Sequence, residues 1–180
     1  MNKEKVEDEI EERMEAVRGY NAVQPVLDGQ WNEMKDKLHD MWLDVENDFN
    51  SENFLGCIWD ISVNDLPGLE VSVVIDGNNR LFISKGTGSF VDYESENVSG
   101  MKIPLKCWIH THPFGAAYFS HIDWNTINKQ RFILNSAIVL GNMERMKWYK
   151  DWEGEELLCR TETVTMVELN KEKEVMREEE

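Results

Sequence analysis

The first part of the chain has apolar side chains at helical spacing. Apolar residues recur every three or four positions over 3–18 and again over 31–49, which is the period of a helix that buries one face. The segment between them, GYNAVQPVLDGQ, contains glycine and proline and is typical of a linker. The pattern therefore predicts an amphipathic helix, a linker and a second helix that packs on a core.

After residue 51 the pattern changes to that of strands. The run FLGCIWDISV predicts a buried strand, and LEVSVVIDGNNRLFISKG predicts a hairpin that turns at Asp76–Asn79. The polar stretch 86–100 predicts a long loop, of a kind that often has a function. PLKCWIHTH predicts a strand that ends on its histidines, and a helix follows over about 120–131. Three closing strands are predicted for SAIVLG, MKWYK and ELLCRTETVTMV.

This order of elements predicts an α+β or mixed α/β fold, in which a mixed β-sheet is flanked by helices. We expect a single domain over residues 29–168, preceded by an acidic helix and linker over 1–28. Residues 169–180 would form a charged C-terminal tail. A chain of 180 residues that is 41% hydrophobic is long enough to bury one core.

The acidic balance of the chain limits its partners. It has 35 acidic and 19 basic residues and a net charge of −16, whereas nucleic-acid phosphates and anionic lipids attract basic surfaces. No stretch approaches the ~18 apolar residues of a membrane span. Cys57, Cys107 and Cys159 are odd in number and far apart, which suits buried thiols in a reducing compartment. We therefore expect a cytoplasmic protein that binds neither nucleic acid nor a membrane.

The residues with distinctive chemistry lie between Trp108 and Asp123. Alternate side chains of a strand share a face, so His110 and His112 project the same way. Asp123, at the start of the next helix, would add a carboxylate to these two imidazoles. Three protein ligands with one open position are the arrangement of a catalytic zinc site, whereas structural zinc sites have four.

Each part of this pattern also has an ordinary explanation. Paired histidines occur on half-exposed strands, and Ser120 with Asp123 matches a capping box that needs no metal. Cys107 would point away from His110, and His121 would lie on the helix surface. The full combination of His-x-His, seven residues and Ser-x-x-Asp would arise by chance in on the order of one in a few thousand such chains. It therefore predicts a metal site.

The run His110-Thr111-His112-Pro113, followed by Ser120-x-x-Asp123, closely resembles the signature of the JAMM (JAB/MPN) metallopeptidases, of the prokaryotic or viral stand-alone type. The resemblance extends in layout over residues 31–167, and it implies the JAB/MPN fold, which is cytidine-deaminase-like. It implies a hydrolase that cleaves peptide or isopeptide bonds, often at the C-terminal tail of a ubiquitin-like modifier. It also implies one Zn²⁺ with a bound water, held by the two histidines and the aspartate.

The family pattern includes an upstream glutamate that introduces an apolar strand and activates the water. Glu52 directly follows the predicted second helix and opens the run FLGCIWDISV. Glu70 lies in the next apolar strand, where it could be an outward polar residue. We expect Glu52 to be the general base and keep Glu70 as the alternative base. Ser120 would donate a hydrogen bond to the developing oxyanion.

Other functions fit parts of the same pattern. A non-catalytic MPN-type scaffold or metal-binding interaction domain would have this layout, although such domains typically replace the metal residues. A nucleic-acid-associated relative such as a RadC-like protein shares the His-x-His-Pro pattern, but the net charge of −16 counts against it. Deaminase chemistry is disfavoured because the H-x-E…P-C-x-x-C pattern is missing. A protein substrate, such as a ubiquitin-like modifier or its conjugate, is therefore the expected partner.

Overall fold

The structure is a computed structural model that describes residues 29–66, 68–86 and 100–165. The chain groups into two compact units, 1–37 and 38–180. The described part of the first unit is helical, and in it the Lys35 ammonium lies 5.8 Å from the centre of the Trp31 ring.

The predicted segments 1–28 and 169–180 lie outside the described residues, as does all of the predicted 86–100 loop except its two ends. The structure and roles of these segments therefore stay predictions. No helix among the described residues is long and apolar enough to cross a membrane.

The described elements follow one another as three helices and six strands. In chain order they are α1 (29–44), α2 (Glu52–Asp60) with a π-helical segment (Ile61–Asp65), β1 (Val71–Ile75), β2 (Leu81–Lys85), β3 (Cys107–Thr111), α3 (His121–Lys129), β4 (Ser136–Gly141), β5 (Glu144–Glu153) and β6 (Glu156–Thr165). The strands form one sheet in the order β2-β1-β3-β4-β5-β6. Only β3 and β4 are parallel, and the other neighbours are antiparallel. The predicted mixed α/β class is confirmed.

The prediction of a strand for FLGCIWDISV is wrong, because these residues form α2 and most of the π-helical segment. Phe54, Ile58 and Ile61 are buried, and their spacing of four and three is that of one helical face. A short apolar run cannot be assigned to a strand or a buried helix by its hydrophobicity alone. In this run the three-and-four spacing of Phe54, Ile58 and Ile61 was the feature that indicated a helix.

The hairpin prediction is confirmed, since β1 and β2 pair on either side of a turn at residues 76–80. The Asp76 carboxylate is buried at this turn and accepts backbone hydrogen bonds from Asn78, Arg80 and Lys102. Burial alone would raise the pKa of Asp76, but these bonds and the Arg80 guanidinium lower it below its ordinary value. The turn is therefore fixed by a carboxylate that stays ionised.

The sheet has a different helix on each face. On the face of Trp108, the core includes Ile127 of α3 together with Val139 and Trp148 of the neighbouring strands. On the opposite face, Thr111 contacts Ser62 of the π-helical segment through their hydroxyl oxygens, 2.7 Å apart. Successive residues of β3 alternate between these two faces, so the position of a residue in β3 decides which helix it meets.

None of the three cysteines forms a disulfide, as predicted. Cys57 and Cys107 are buried, and burial raises the pKa of Cys107 to about 12, which makes this thiol unreactive. Cys159 is exposed, so the expectation of three buried thiols is wrong for this residue. It lies on β6, at the edge of the sheet, where no strand follows in the described chain.

Candidate metal centre

The three predicted ligands converge at the end of β3 and the start of α3. His110 Nε2 lies 3.2 Å from Asp123 Oδ2, and His112 Nε2 lies 3.6 Å from the same oxygen. The ligand atoms of all three residues lie within 4.8 Å of one another. Ligands on a tetrahedral zinc, at bond lengths of ~2.0–2.2 Å, are about 3.3–3.6 Å apart. The described residues therefore contain a His-His-Asp group with the spacing to hold a metal ion.

A capping box fixes the carboxylate of this group. The Ser120 backbone N–H donates to Asp123 Oδ2 at 2.7 Å, and the Asp123 N–H donates to Ser120 Oγ at 3.2 Å. The predicted helix start is thus confirmed, and the ordinary role of the Ser-x-x-Asp pattern coexists with the ligand geometry. Because Ser120 Oγ accepts in this bond, its own proton remains to be donated elsewhere.

The His110 ring is buried and is held by an aromatic stack. It lies parallel to the Trp108 indole, with centroids 4.5 Å apart and planes inclined by 16°. Trp108 is oriented in turn by a 2.9 Å hydrogen bond from its Nε1 to Ser72 Oγ. The sequence pattern gave no sign of this arrangement, because an indole two positions before a histidine is ordinary core packing on the same strand face.

By geometric criteria neither ring nitrogen of the buried His110 makes a hydrogen bond, although Nε2 lies 3.2 Å from Asp123 Oδ2. A buried polar atom without a partner typically costs ~1–3 kcal/mol. A metal ion at the convergence point would satisfy Nε2, so this unpaired nitrogen supports the fit of the residues to a metal. His112 differs, because its Nδ1 lies 3.3 Å from the Ala116 carbonyl oxygen. If Nδ1 carries the proton and donates there, Nε2 is left as a lone-pair donor.

The electrostatics favour a neutral His110 and an ionised Asp123, whereas they favour the protonated form of His112. Burial lowers the pKa of His110, which favours the neutral imidazole. Burial alone would raise the pKa of Asp123, but the two imidazoles and the Ser120 N–H lower it far below its ordinary value. Burial would likewise lower the pKa of His112, but the neighbouring Asp123 and Glu70 carboxylates raise it. A neutral imidazole beside an ionised carboxylate is a metal-binding combination.

Glu70 lies beside this group. It directly precedes β1, and the register of β1 with β3 pairs Ser72 with His110. Two residues further along an antiparallel pair, Glu70 faces His112 on the same side of the sheet. Glu70 is only 7% exposed, and burial raises its pKa to about 7, with His112 opposing and Asp123 adding to the shift.

Glu52 lies on the other face of the sheet. It begins α2 rather than a strand, and its Oε1 accepts a 2.5 Å hydrogen bond from Arg145 Nη1. Arg145 is registered with Leu140, and Leu140 with Thr111, so these side chains share the face opposite to His110. The reason for preferring Glu52 as the general base was that it opens an apolar strand. That premise is wrong, and the residue that does precede an apolar strand is Glu70.

A cavity of about 250 Å³ lies next to Glu52 on that opposite face. It is bounded on one side by α2, including Leu55 and Trp59, and on the other by the turn between β4 and β5, including Met143. The Glu52–Arg145 ion pair forms part of its wall. Because the sheet separates this cavity from the histidines, it is not part of the metal centre.

The remaining histidines, His39 and His121, are not part of the converging group. His121 is exposed at the first turn of α3, as predicted, and His39 is exposed on α1. Cys107 points to the face opposite to His110, as its strand position predicts. The three residues predicted as ligands therefore converge, and Glu70 rather than Glu52 lies on their side of the sheet.

Comparisons of the chain with protein-family models, with curated proteins and with solved structures give no match. No family is shown. The function therefore has to be argued from the residues of the site and from their arrangement.

Proposed function

We propose that the protein is a zinc-dependent hydrolase of peptide or isopeptide bonds, of the JAMM type. The observation that carries this proposal is the placement of four side chains on one face of the sheet: two imidazoles and a carboxylate that converge, and a second buried carboxyl facing one of the imidazoles. The six-stranded mixed sheet with flanking helices is compatible with the JAB/MPN fold that this proposal requires.

Zinc suits the donor set, and it is the metal that the JAMM resemblance implies. His110 and His112 offer imidazole nitrogens, which are borderline ligands, and Asp123 offers a single carboxylate oxygen. Magnesium and calcium prefer sites made of oxygen ligands. Two histidines and one carboxylate leave a coordination position open, as catalytic zinc sites do. A zinc ion held there would supply Lewis-acid activation of a water molecule and of the scissile carbonyl group.

Glu70 would move the proton. Burial raises the pKa of Glu70 to about 7 in the metal-free site, and a carboxyl group that exchanges protons near neutral pH suits a general base and acid. Glu70 would take a proton from the attacking water and return it to the departing amine. Its place opposite His112 supports this role, because the Glu70 carboxyl group then lies beside the residues that would hold the metal.

Ser120 would assist at the carbonyl oxygen. Its backbone N–H and its hydroxyl oxygen are used by the capping box with Asp123, which fixes the residue at the start of α3. The hydroxyl proton is free to point toward the substrate, where it would donate to the developing oxyanion. Removing one such donor typically lowers the rate about 100-fold or more.

The substrate proposed from the sequence is the C-terminal tail of a ubiquitin-like modifier or its conjugate. Two aromatic side chains near His112 in the chain are exposed, Phe114 by 82% and Tyr118 by 54%. The Tyr118 ring packs edge-on against the His112 ring, with the ring centroids 5.1 Å apart. Exposed aromatic side chains beside a reactive centre support binding of a polypeptide rather than of a small polar molecule.

The test begins with metal content. Purified protein should contain close to one zinc per chain, and His112→Ala should lose it, as measured by plasma mass spectrometry. The loaded wild type should cleave an isopeptide-linked ubiquitin dimer or a linear ubiquitin–peptide fusion, and chelation followed by zinc addition should abolish and restore cleavage. Wild type that is folded and binds no zinc would refute the proposal. Zinc binding without cleavage of either probe would instead favour the non-catalytic MPN-type scaffold.

A further inference from the structure

Two buried hydroxyl groups hold the chain on either side of Glu70. Ser62 Oγ donates to the Leu69 carbonyl oxygen at 2.5 Å, and the Val71 N–H donates to Thr111 Oγ1 at 2.9 Å. The two hydroxyl oxygens are themselves 2.7 Å apart. Since the Ser62 proton is used on Leu69, Thr111 supplies the proton that joins the two hydroxyls. The groups flanking Glu70 are thus connected through one short chain of hydrogen bonds.

Both hydroxyls are completely buried, so water cannot replace them. Ser62 and Thr111 are each 0% exposed. Ser62 belongs to the π-helical segment, and its carbonyl oxygen also accepts the Gly68 N–H at 3.0 Å. Such π-helical turns occur frequently at functional sites. The backbone of Glu70 is also held directly, because its carbonyl oxygen accepts a 2.9 Å hydrogen bond from the Gly86 N–H.

Thr111 lies between the two histidine ligands but points to the opposite face of β3. The even-numbered neighbours of this strand, His110 and His112, point to the metal centre, while Thr111 points to Ser62. Three consecutive residues of the chain therefore have two tasks. His110 and His112 supply two of the proposed ligands, and Thr111 between them holds the backbone beside Glu70. A threonine on a strand has an ordinary reason to be there, its β-branched shape. That reason explains neither its burial nor its two hydrogen bonds to groups around Glu70.

We propose that Thr111 and Ser62 are positioning residues, which fix the Glu70 carboxyl group relative to the metal ligands through the backbone of Leu69 and Val71. This inference rests on the proposed function, in which Glu70 transfers the proton. Neither hydroxyl touches the ligands' converging atoms or the substrate side of the sheet. Their loss should therefore leave metal binding intact and should displace Glu70.

The experiment compares Thr111→Val, which keeps the shape and removes the hydroxyl, with Ser62→Ala and with Thr111→Ser, which restores a hydroxyl. Ser136→Ala is the matched control, because the Ser136 hydroxyl is also buried and donates to a backbone carbonyl, that of Lys106 at 2.7 Å, away from Glu70. Should Thr111→Val not fold, Ser62→Ala tests the same hydrogen-bond chain from its other end.

Three readouts are measured on each variant. Amide hydrogen exchange at Val71 should accelerate about tenfold or more in Thr111→Val, because its N–H loses its acceptor. With Co²⁺ in place of zinc, the paramagnetic shift of the Glu70 side-chain carbon should change in Thr111→Val and Ser62→Ala, while Co²⁺ affinity stays within about twofold. On the ubiquitin probes, kcat should fall about 10–100-fold with KM nearly constant, since a displacement near 1 Å can cost that much.

Thr111→Ser should recover most of each effect, and Ser136→Ala should match the wild type. An unchanged Glu70 shift in both hydroxyl-deleted variants would overturn the inference, as would a loss of Co²⁺ affinity as large as the loss of kcat. If the wild type cleaves neither probe, the hydrolase proposal fails by itself. The exchange and paramagnetic readouts still decide whether the two hydroxyls position Glu70.

Discussion

Two glutamates lie near the end of β3, one on each face of the sheet, and their surroundings differ in almost every respect. Glu52 is partly exposed and is paired with the Arg145 guanidinium beside a cavity. Glu70 is buried, has the His112 imidazole and the Asp123 carboxylate for neighbours, and its pKa is raised to about 7. A paired carboxylate at a helix start stabilises structure, whereas a buried carboxyl next to potential ligands is suited to proton transfer.

The largest effect is expected when each glutamate is neutralised in turn, which tests whether only Glu70 transfers the proton. Glu70→Gln should retain zinc and lower kcat about 1,000-fold on the ubiquitin probes, within the range general bases contribute. Glu52→Gln should leave kcat within about threefold, because it removes only an ion pair on the other face. Steady-state kinetics with zinc analysis checks both. If kcat instead fell in Glu52→Gln and stayed near the wild-type value in Glu70→Gln, Glu52 would be the general base, as the sequence analysis expected.

The second prediction concerns the tryptophans of the two faces. Trp108 stacks on His110, whereas Trp59 lines the cavity near Glu52. Trp108→Leu should weaken zinc binding about 10–100-fold, the usual effect of removing a group that orients a metal ligand. Trp59→Leu should leave zinc affinity unchanged. Competition titrations with a chromophoric chelator measure both, and equal affinities for the two variants would show that the stack does not orient His110.

The third prediction uses the pH dependence of folding in metal-free protein. The pKa of Glu70 rises from 4.5 to about 7 on folding. Below pH 4.5 the group is neutral in both states; above it the unfolded state ionises first, so stability falls as pH rises toward about 7. Relative to Glu70→Gln, wild type should lose about 1–3 kcal/mol between pH 4.5 and 8. Urea unfolding at several pH values measures this, and parallel curves for the two proteins would contradict it.

The two glutamates also show what the sequence could and could not predict. The convergence of His110, His112 and Asp123 was predictable because strand alternation, a capping box and fixed spacing are all local. The ranking of Glu52 and Glu70 depended on whether FLGCIWDISV is a helix or a strand. Tertiary packing decides that for a short apolar run. The register that places Glu70 opposite His112 joins residues about forty positions apart, and no local pattern contains it.

The smallest expected effect belongs to the ion pair on the other face. The side chains of Glu52 and Arg145 are 33% and 21% exposed, so solvent screens their attraction. Glu52→Gln should therefore cost about 1 kcal/mol or less in the free energy of unfolding, and this cost should shrink further in high salt because the charges are partly accessible. A loss of several kcal/mol would mean that Arg145 is left buried and unpaired, and would make the pair a structural support of the sheet.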